Sequence, residues 1–204
     1  MDAGRRRLFG LGLGLAPLVL AGNAVAAQEE ETGKPMSRVA RAGFLPNVPL
    51  VTQDGKKVRF YDDLIHDKTV LLNFFMVECT DGVCPTAVAN LRKVQDLLGD
   101  RMGRDIFFYS ITLQPRHDTP KVLREYVSNF DIKPGWTFLT GKPADIEHLR
   151  RALGYAEADP EIDRNPANHI GMARYGSDRL DRWGGVSVRS SPENIASTFQ
   201  WLTL

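Results

Sequence analysis

The chain has 204 residues, 43% of them hydrophobic and 25% charged, and 26 Lys and Arg against 25 Asp and Glu leave a formal net charge of +1. That near-neutral balance, with no basic stripe interleaved with aromatics, offers no surface for nucleic acid. Both cysteines fall in one short stretch, an arrangement that serves either a redox couple or a soft metal ion.

The N-terminus opens with Arg5-Arg6-Arg7, continues with an apolar run from Leu8 to Leu20, and offers Ala24-Val25-Ala26 before Gln28-Glu29-Glu30. This charged, apolar, small-residue order reads as an export signal over residues 1–27. The run is Gly-rich and shorter than the roughly 20 residues that span a bilayer, so cleavage is expected, with an uncleaved membrane anchor as the alternative. Arg6-Arg7-Leu8-Phe9 is similar to a twin-arginine signal. Removing the segment takes the formal charge from +1 to −1, because Asp2 and three arginines leave with it. The remainder suits one domain in the periplasm, where a disulfide persists. Residues 28–43 mix Glu, Lys, Gly, Pro, Ser and Arg with few large apolar groups and read as a flexible leader, which places the domain at 44–204.

Within that domain, Leu50-Val51-Thr52, Asp54-Gly55 and Val58-Arg59-Phe60-Tyr61 have the spacing of a β-hairpin. A short helical turn over Asp62 to Ile65 follows, and the apolar run Val70 to Val77 reads as a central strand covered on both faces. From Pro85, Val88, Leu91, Val94, Leu97 and Leu98 recur at helical spacing, which places Cys84 at the helix start. Ile106 to Ile111 is the next strand, and Thr119-Pro120 starts a helix through Leu123 and Tyr126. Trp136 to Gly141 reads as a strand, Ile146, Leu149 and Leu153 as a helix, Ile170 to Tyr175 as a strand, and Pro192 to Phe199 as a closing helix. The alternation predicts an α/β fold: a mostly parallel central sheet, helices on both faces, and an N-terminal β-hairpin.

Cys84, at a helix N-terminus, is expected to feel unpaired backbone donors and the positive end of the dipole, both of which favour thiolate. Cys79 lies close enough to bridge to it or to share a ligand with it, and Gly82 gives the intervening loop freedom to turn. The four intervening residues differ from the two of a thioredoxin-type pair. Two thiolates select copper(I), and an imidazole would help to hold copper(II). Of the four histidines, His66, His117 and His148 read as solvated; His169 stands at the mouth of a late strand, where sheets of this kind gather ligands.

Asp54-Gly55-Lys56 with Phe60, Cys84-Pro85, Asp118-Thr119-Pro120 with Leu123 and Tyr126, Trp136 with Leu139-Thr140-Gly141, and His169 form a set of landmarks. Together they resemble the SCO/SenC family, thioredoxin-like copper proteins that assist assembly of the binuclear copper centre of cytochrome oxidase. The resemblance covers roughly Phe44 to Leu202 and implies a thioredoxin-like fold, with a copper ion held by Cys79, Cys84 and His169. It departs from the family in two places. Thr80 to Val83 supply four residues between the cysteines where the family has three, and Gln114 stands where many members place Asp.

The resemblance implies delivery of copper to a respiratory copper protein such as cytochrome c oxidase subunit II, with a thiol reductant protein as a further partner. Membrane contact is expected only through an uncleaved signal or a client. The main alternative makes Cys79 and Cys84 the redox pair of a periplasmic thiol-disulfide oxidoreductase. A binding module with an inert structural disulfide, and a zinc site with water as fourth ligand, are the remaining readings.

Overall fold

A computed structural model describes residues 37–79 and 82–202. Residues 1–36, which include the expected export signal and most of the expected leader, lie outside the described residues. Residues 37–43, which read as leader in the sequence, carry a one-turn helix, α1 (Arg38–Arg41), capped by the Ser37 hydroxyl and with Ala40 buried. The ordered fold therefore begins before Phe44. None of the described helices is long and apolar enough to cross a membrane.

Strands β1 (Pro49–Thr52) and β2 (Lys57–Arg59) pair antiparallel about the Asp54-Gly55 turn, where Gly55 has φ +82°. The turn expected over Asp62 to Ile65 is a π-helix over Phe60–Ile65 that buries Phe60, Tyr61, Leu64 and Ile65. Next come β3 (Thr69–Phe75), α2 (Val83–Leu98), β4 (Ile106–Thr112), α3 (Pro120–Ser128), β5 (Trp136–Gly141) and α4 (Pro143–Ala152). The short α5 (Pro160–Asp163) and a 3-10 turn at Pro166–His169 lead to β6 (Met172–Ser177), β7 (Arg182–Ser187) and α6 (Pro192–Trp201). Proline opens α3, α4 and α6, where the missing amide would have no helical acceptor.

The sheet order is β2-β1-β5-β4-β3-β6-β7. Only β5-β4-β3 run parallel; β1 joins β5, and β6 joins β3, antiparallel. The sheet is therefore mixed, with a parallel centre of three strands, and the expectation of a mostly parallel sheet is corrected. β7, which no sequence pattern marks, pairs antiparallel with β6 and adds a seventh strand. Strand alternation splits the core in two. Leu71 and Phe75 of β3 and Phe108 of β4 pack with Val88, Leu91, Leu123, Ile195 and Phe199 of α2, α3 and α6. Val70, Leu72, Phe74 and Ile111 face Ile146 and Leu149 of α4 and the π-helix on the other side.

Candidate metal centre

The parallel strands β3 and β4 end at Phe75 and Thr112, which are register partners. β6 runs the opposite way with Ala173 beside Asn73, so its start lies at the same end of the sheet. The cysteine turn after β3, the loop Gln114 to Asp118 after β4, and His169 before β6 thus converge on the carboxyl end of the parallel strands, where open α/β sheets bind ligands.

Gly82, with φ +72°, caps α2 in the left-handed region and turns the chain from strand into helix. Cys84 in the first helical turn is fully buried, and Cys79 is half-buried. The Cys84 amide donates to Cys79 Sγ at 3.2 Å, and the Met76 amide donates to Cys84 Sγ at 3.3 Å. The helix-end donor expected to act on Cys84 is thus aimed at Cys79, while the strand end serves Cys84. Met76 itself is core.

Tyr126 of α3 packs against Phe75, Phe130 and Phe138, and its hydroxyl is buried without a hydrogen-bond partner. Burial pushes its pKa up, and the charges of Cys84, Cys79 and Asp118 add to the rise.

Asp118 does not cap α3; Thr119 does, accepting from the Val122 amide. The fully buried Asp118 carboxylate instead accepts from the Val77 amide at 3.2 Å and from the Thr112 hydroxyl, tying β3, β4 and the following loop together. Asp118→Ala leaves both donors without an acceptor and is expected to cost about 2–4 kcal/mol, measured by urea denaturation.

The exposed His117 bridges Asp118 (Nδ1 to Oδ1, 2.9 Å) and Glu78 (Nε2 to Oε1, 3.1 Å). The hydrogen bond to Asp118, then the charge of Glu78, raises its pKa above 6.5. A raised folded-state pKa gives stability that is full below the ordinary value and lost as pH climbs through the raised one. Glu78→Gln is therefore expected to bring the His117 transition back toward 6.5, followed by NMR of the imidazole.

His169 is buried, as is Arg150 of α4, and both line a groove of about 320 Å³ with Leu113, Pro115 and Pro143. A second hollow containing Glu78 and His117 shares those last three residues, so the groove runs on toward the cysteine turn. His169 Nε2 lies 2.9 Å from the Asp163 carbonyl oxygen and 3.2 Å from Arg150 Nη1. Nη1 already donates to the Tyr155 carbonyl and to Asp163, each at 2.7 Å. Nε2–H therefore donates to the Asp163 carbonyl, which leaves the lone pair on Nδ1.

The structure brings the two cysteines into one turn, but it does not gather all three expected ligands: Cys79, Cys84 and His169 do not place three donor atoms within 4.8 Å of one another. His148 is exposed as expected, whereas His66, expected to be solvated, is buried before β3. Sequence patterning misses Arg150 and Asp163, whose charged helical context gives no sign of burial. The Arg150 pair holds Asp163 well below the usual carboxylate range, and Asp163 and Glu147 together raise the Arg150 pKa.

The chain is 26% identical to Bradyrhizobium japonicum ScoI, whose structure was solved with copper bound; the match covers 78% of this chain and 98% of that one, with a TM-score of 0.60. BsSco, described as having a disulfide switch and as a member of the Sco family of cytochrome c oxidase assembly proteins, matches at 23% identity and a TM-score of 0.60, over 78% of this chain and 92% of that one. A SCO2-like protein of Rickettsia prowazekii is 29% identical over 59% of this chain, and the match spans 56% of that relative's length. The profile of the SCO1/SenC family matches residues 42–172, more than half of the sequence, and the chain belongs to that family.

Proposed function

We propose that this protein is a periplasmic copper-binding assembly factor that carries copper(I) on Cys79 and Cys84, with His169 as third ligand, and delivers it to a respiratory copper protein such as the CuA centre of cytochrome c oxidase. The observation that carries the reading is the cysteine turn: two sulfurs on one strand-to-helix junction, each held by a backbone amide. Soft sulfur donors of low coordination number suit copper(I). The copper-bound state of the Bradyrhizobium japonicum relative supports the same cargo. His169 reaches the ion through Nδ1 when the Pro166–His169 turn moves toward the sulfurs, and the Asp163 carbonyl fixes the ring's tautomer. Half-exposed Cys79 is the sulfur a client meets first, and buried Cys84 lets go last.

Burial also favours a definite order for the thiol-disulfide alternative. Cys79 would attack a partner disulfide and release one partner thiolate; Cys84 would then displace the second partner sulfur from Cys79, leaving the partner reduced and this pair oxidised. Anaerobic titration of copper(I) into the reduced protein, against a competing chelator, decides between the two. One tightly bound ion, weakened by Cys84→Ser and by His169→Ala, is the expected result. Absence of competitive binding together with rapid disulfide exchange would replace the copper reading with the redox one.

A further inference from the structure

At the opposite end of the same strands, three ligand-type side chains converge. His66 and Asp67 precede β3, Asp178 follows β6, and the antiparallel register sets Thr69 beside Ser177. Six residues of strand, about 20 Å, separate Thr69 from Phe75 and the cysteine end. One ring nitrogen of His66 and one carboxylate oxygen each of Asp67 and Asp178 lie within 4.8 Å of one another. Among the described residues this is the only group of three His, Cys, Asp or Glu side chains so placed.

Two of the three are buried and incompletely bonded. Asp178 is 4% exposed; its Oδ2 accepts from the Tyr61 hydroxyl at 3.2 Å and from the Asp67 amide at 3.1 Å, while Oδ1 is buried with no donor. His66 is 9% exposed, its Nδ1 stands 3.4 Å from the Asp67 carboxylate, and its Nε2 is buried with no partner. Buried polar groups are ordinarily satisfied, and a cation bound here would satisfy these.

We infer that His66, Asp67 and Asp178 form a second metal site, for a divalent cation of the zinc class, separate from the cysteine centre. Imidazole nitrogen and carboxylate oxygen are both ligand types that zinc accepts, and water would supply the fourth position. The lack of sulfur discriminates against copper(I). The Tyr61 hydroxyl and the Asp67 amide hold Asp178 from behind, as groups behind a metal-bound carboxylate do. The ion ties the segment entering β3 to the segment leaving β6.

The test titrates zinc into the full chain carrying Cys79→Ser and Cys84→Ser, which takes the sulfurs out of competition. Calorimetry is expected to show one zinc per chain, with a rise in melting temperature on binding. Asp67→Asn is the decisive variant, because Asp67 is exposed and its φ of +58° is one that Asn adopts readily. It is expected to weaken zinc by at least about tenfold with an unchanged circular dichroism spectrum, and Asp178→Asn to weaken it further. Absence of zinc binding, or binding that Asp67→Asn leaves unmoved, overturns the proposal.

Discussion

Cys84→Ser is expected to weaken copper(I) binding by roughly a thousandfold while leaving the fold intact. Serine is nearly isosteric with cysteine, and its hydroxyl can still accept the Met76 amide that now reaches Cys84 Sγ, so that amide keeps an acceptor. What changes is the chemistry of the donor atom: a hard, protonated oxygen replaces a soft thiolate, and copper(I) is left with one sulfur. Cys79→Ser has the same effect on affinity, and its hydroxyl keeps an acceptor for the Cys84 amide at the start of α2. Chelator competition under anaerobic conditions measures the loss, and a urea melt on the same sample measures the fold. Unchanged copper affinity in Cys84→Ser would remove that residue from the site.

Arg150→Leu should lower copper(I) affinity by about 10- to 100-fold, the range for groups that orient a metal-bound histidine. Arg150 is buried and joins α4 to the segment that carries His169, through Glu147, the Tyr155 carbonyl and both oxygens of Asp163. Leucine leaves Asp163 without its main partner, and the Asp163 carbonyl that holds His169 Nε2 shifts with it. A pH measurement separates positioning from simple loss of fold. The Arg150 pair depresses the Asp163 pKa, so the stability it gives is present above the ordinary value near 3.8 and drains away as pH falls below it. In Arg150→Leu that acid dependence flattens. Arg150→Lys, which keeps the charge but not the planar fork, should recover part of the copper affinity. If stability falls while copper affinity matches the unmodified protein, Arg150 is a brace for the fold and no more.

Elements whose residues state their own surroundings are legible in the sequence alone. The β3 run from Val70 to Phe75 is apolar at nearly every position, which only a strand covered on both faces tolerates. α3 and α6 announce themselves by proline at the first position, and α2 by the 3.6-residue recurrence of Val88, Leu91 and Leu98. The cysteine turn is readable for the same reason: strand, glycine and helix start are local signals, and both sulfurs lie within them. β7 is not. Its residues, Arg182 to Ser187, include two glycines and lie half in solvent, so neither alternation nor a continuous apolar run marks them.

Chain direction and long-range polar contacts are decided only by the tertiary structure. Nothing in Met172–Ser177 records that it runs antiparallel to β3, yet that direction carries His169 to the cysteine end of the sheet and Asp178 to the other, beside His66. Arg150 and Asp163, thirteen residues apart, read as ordinary surface charges until α4 and α5 fold them against His169. Hydrophobic periodicity is written into neighbouring residues because burial of a face is a local property. The partner of a buried charge is set by where distant segments meet, and single-sequence patterning carries no record of that. The sequence by itself determined the α/β class, the cysteine pair and its resemblance to a copper-carrying family; the fold decided which sulfur is reachable, how His169 is held, and that His66 meets two carboxylates.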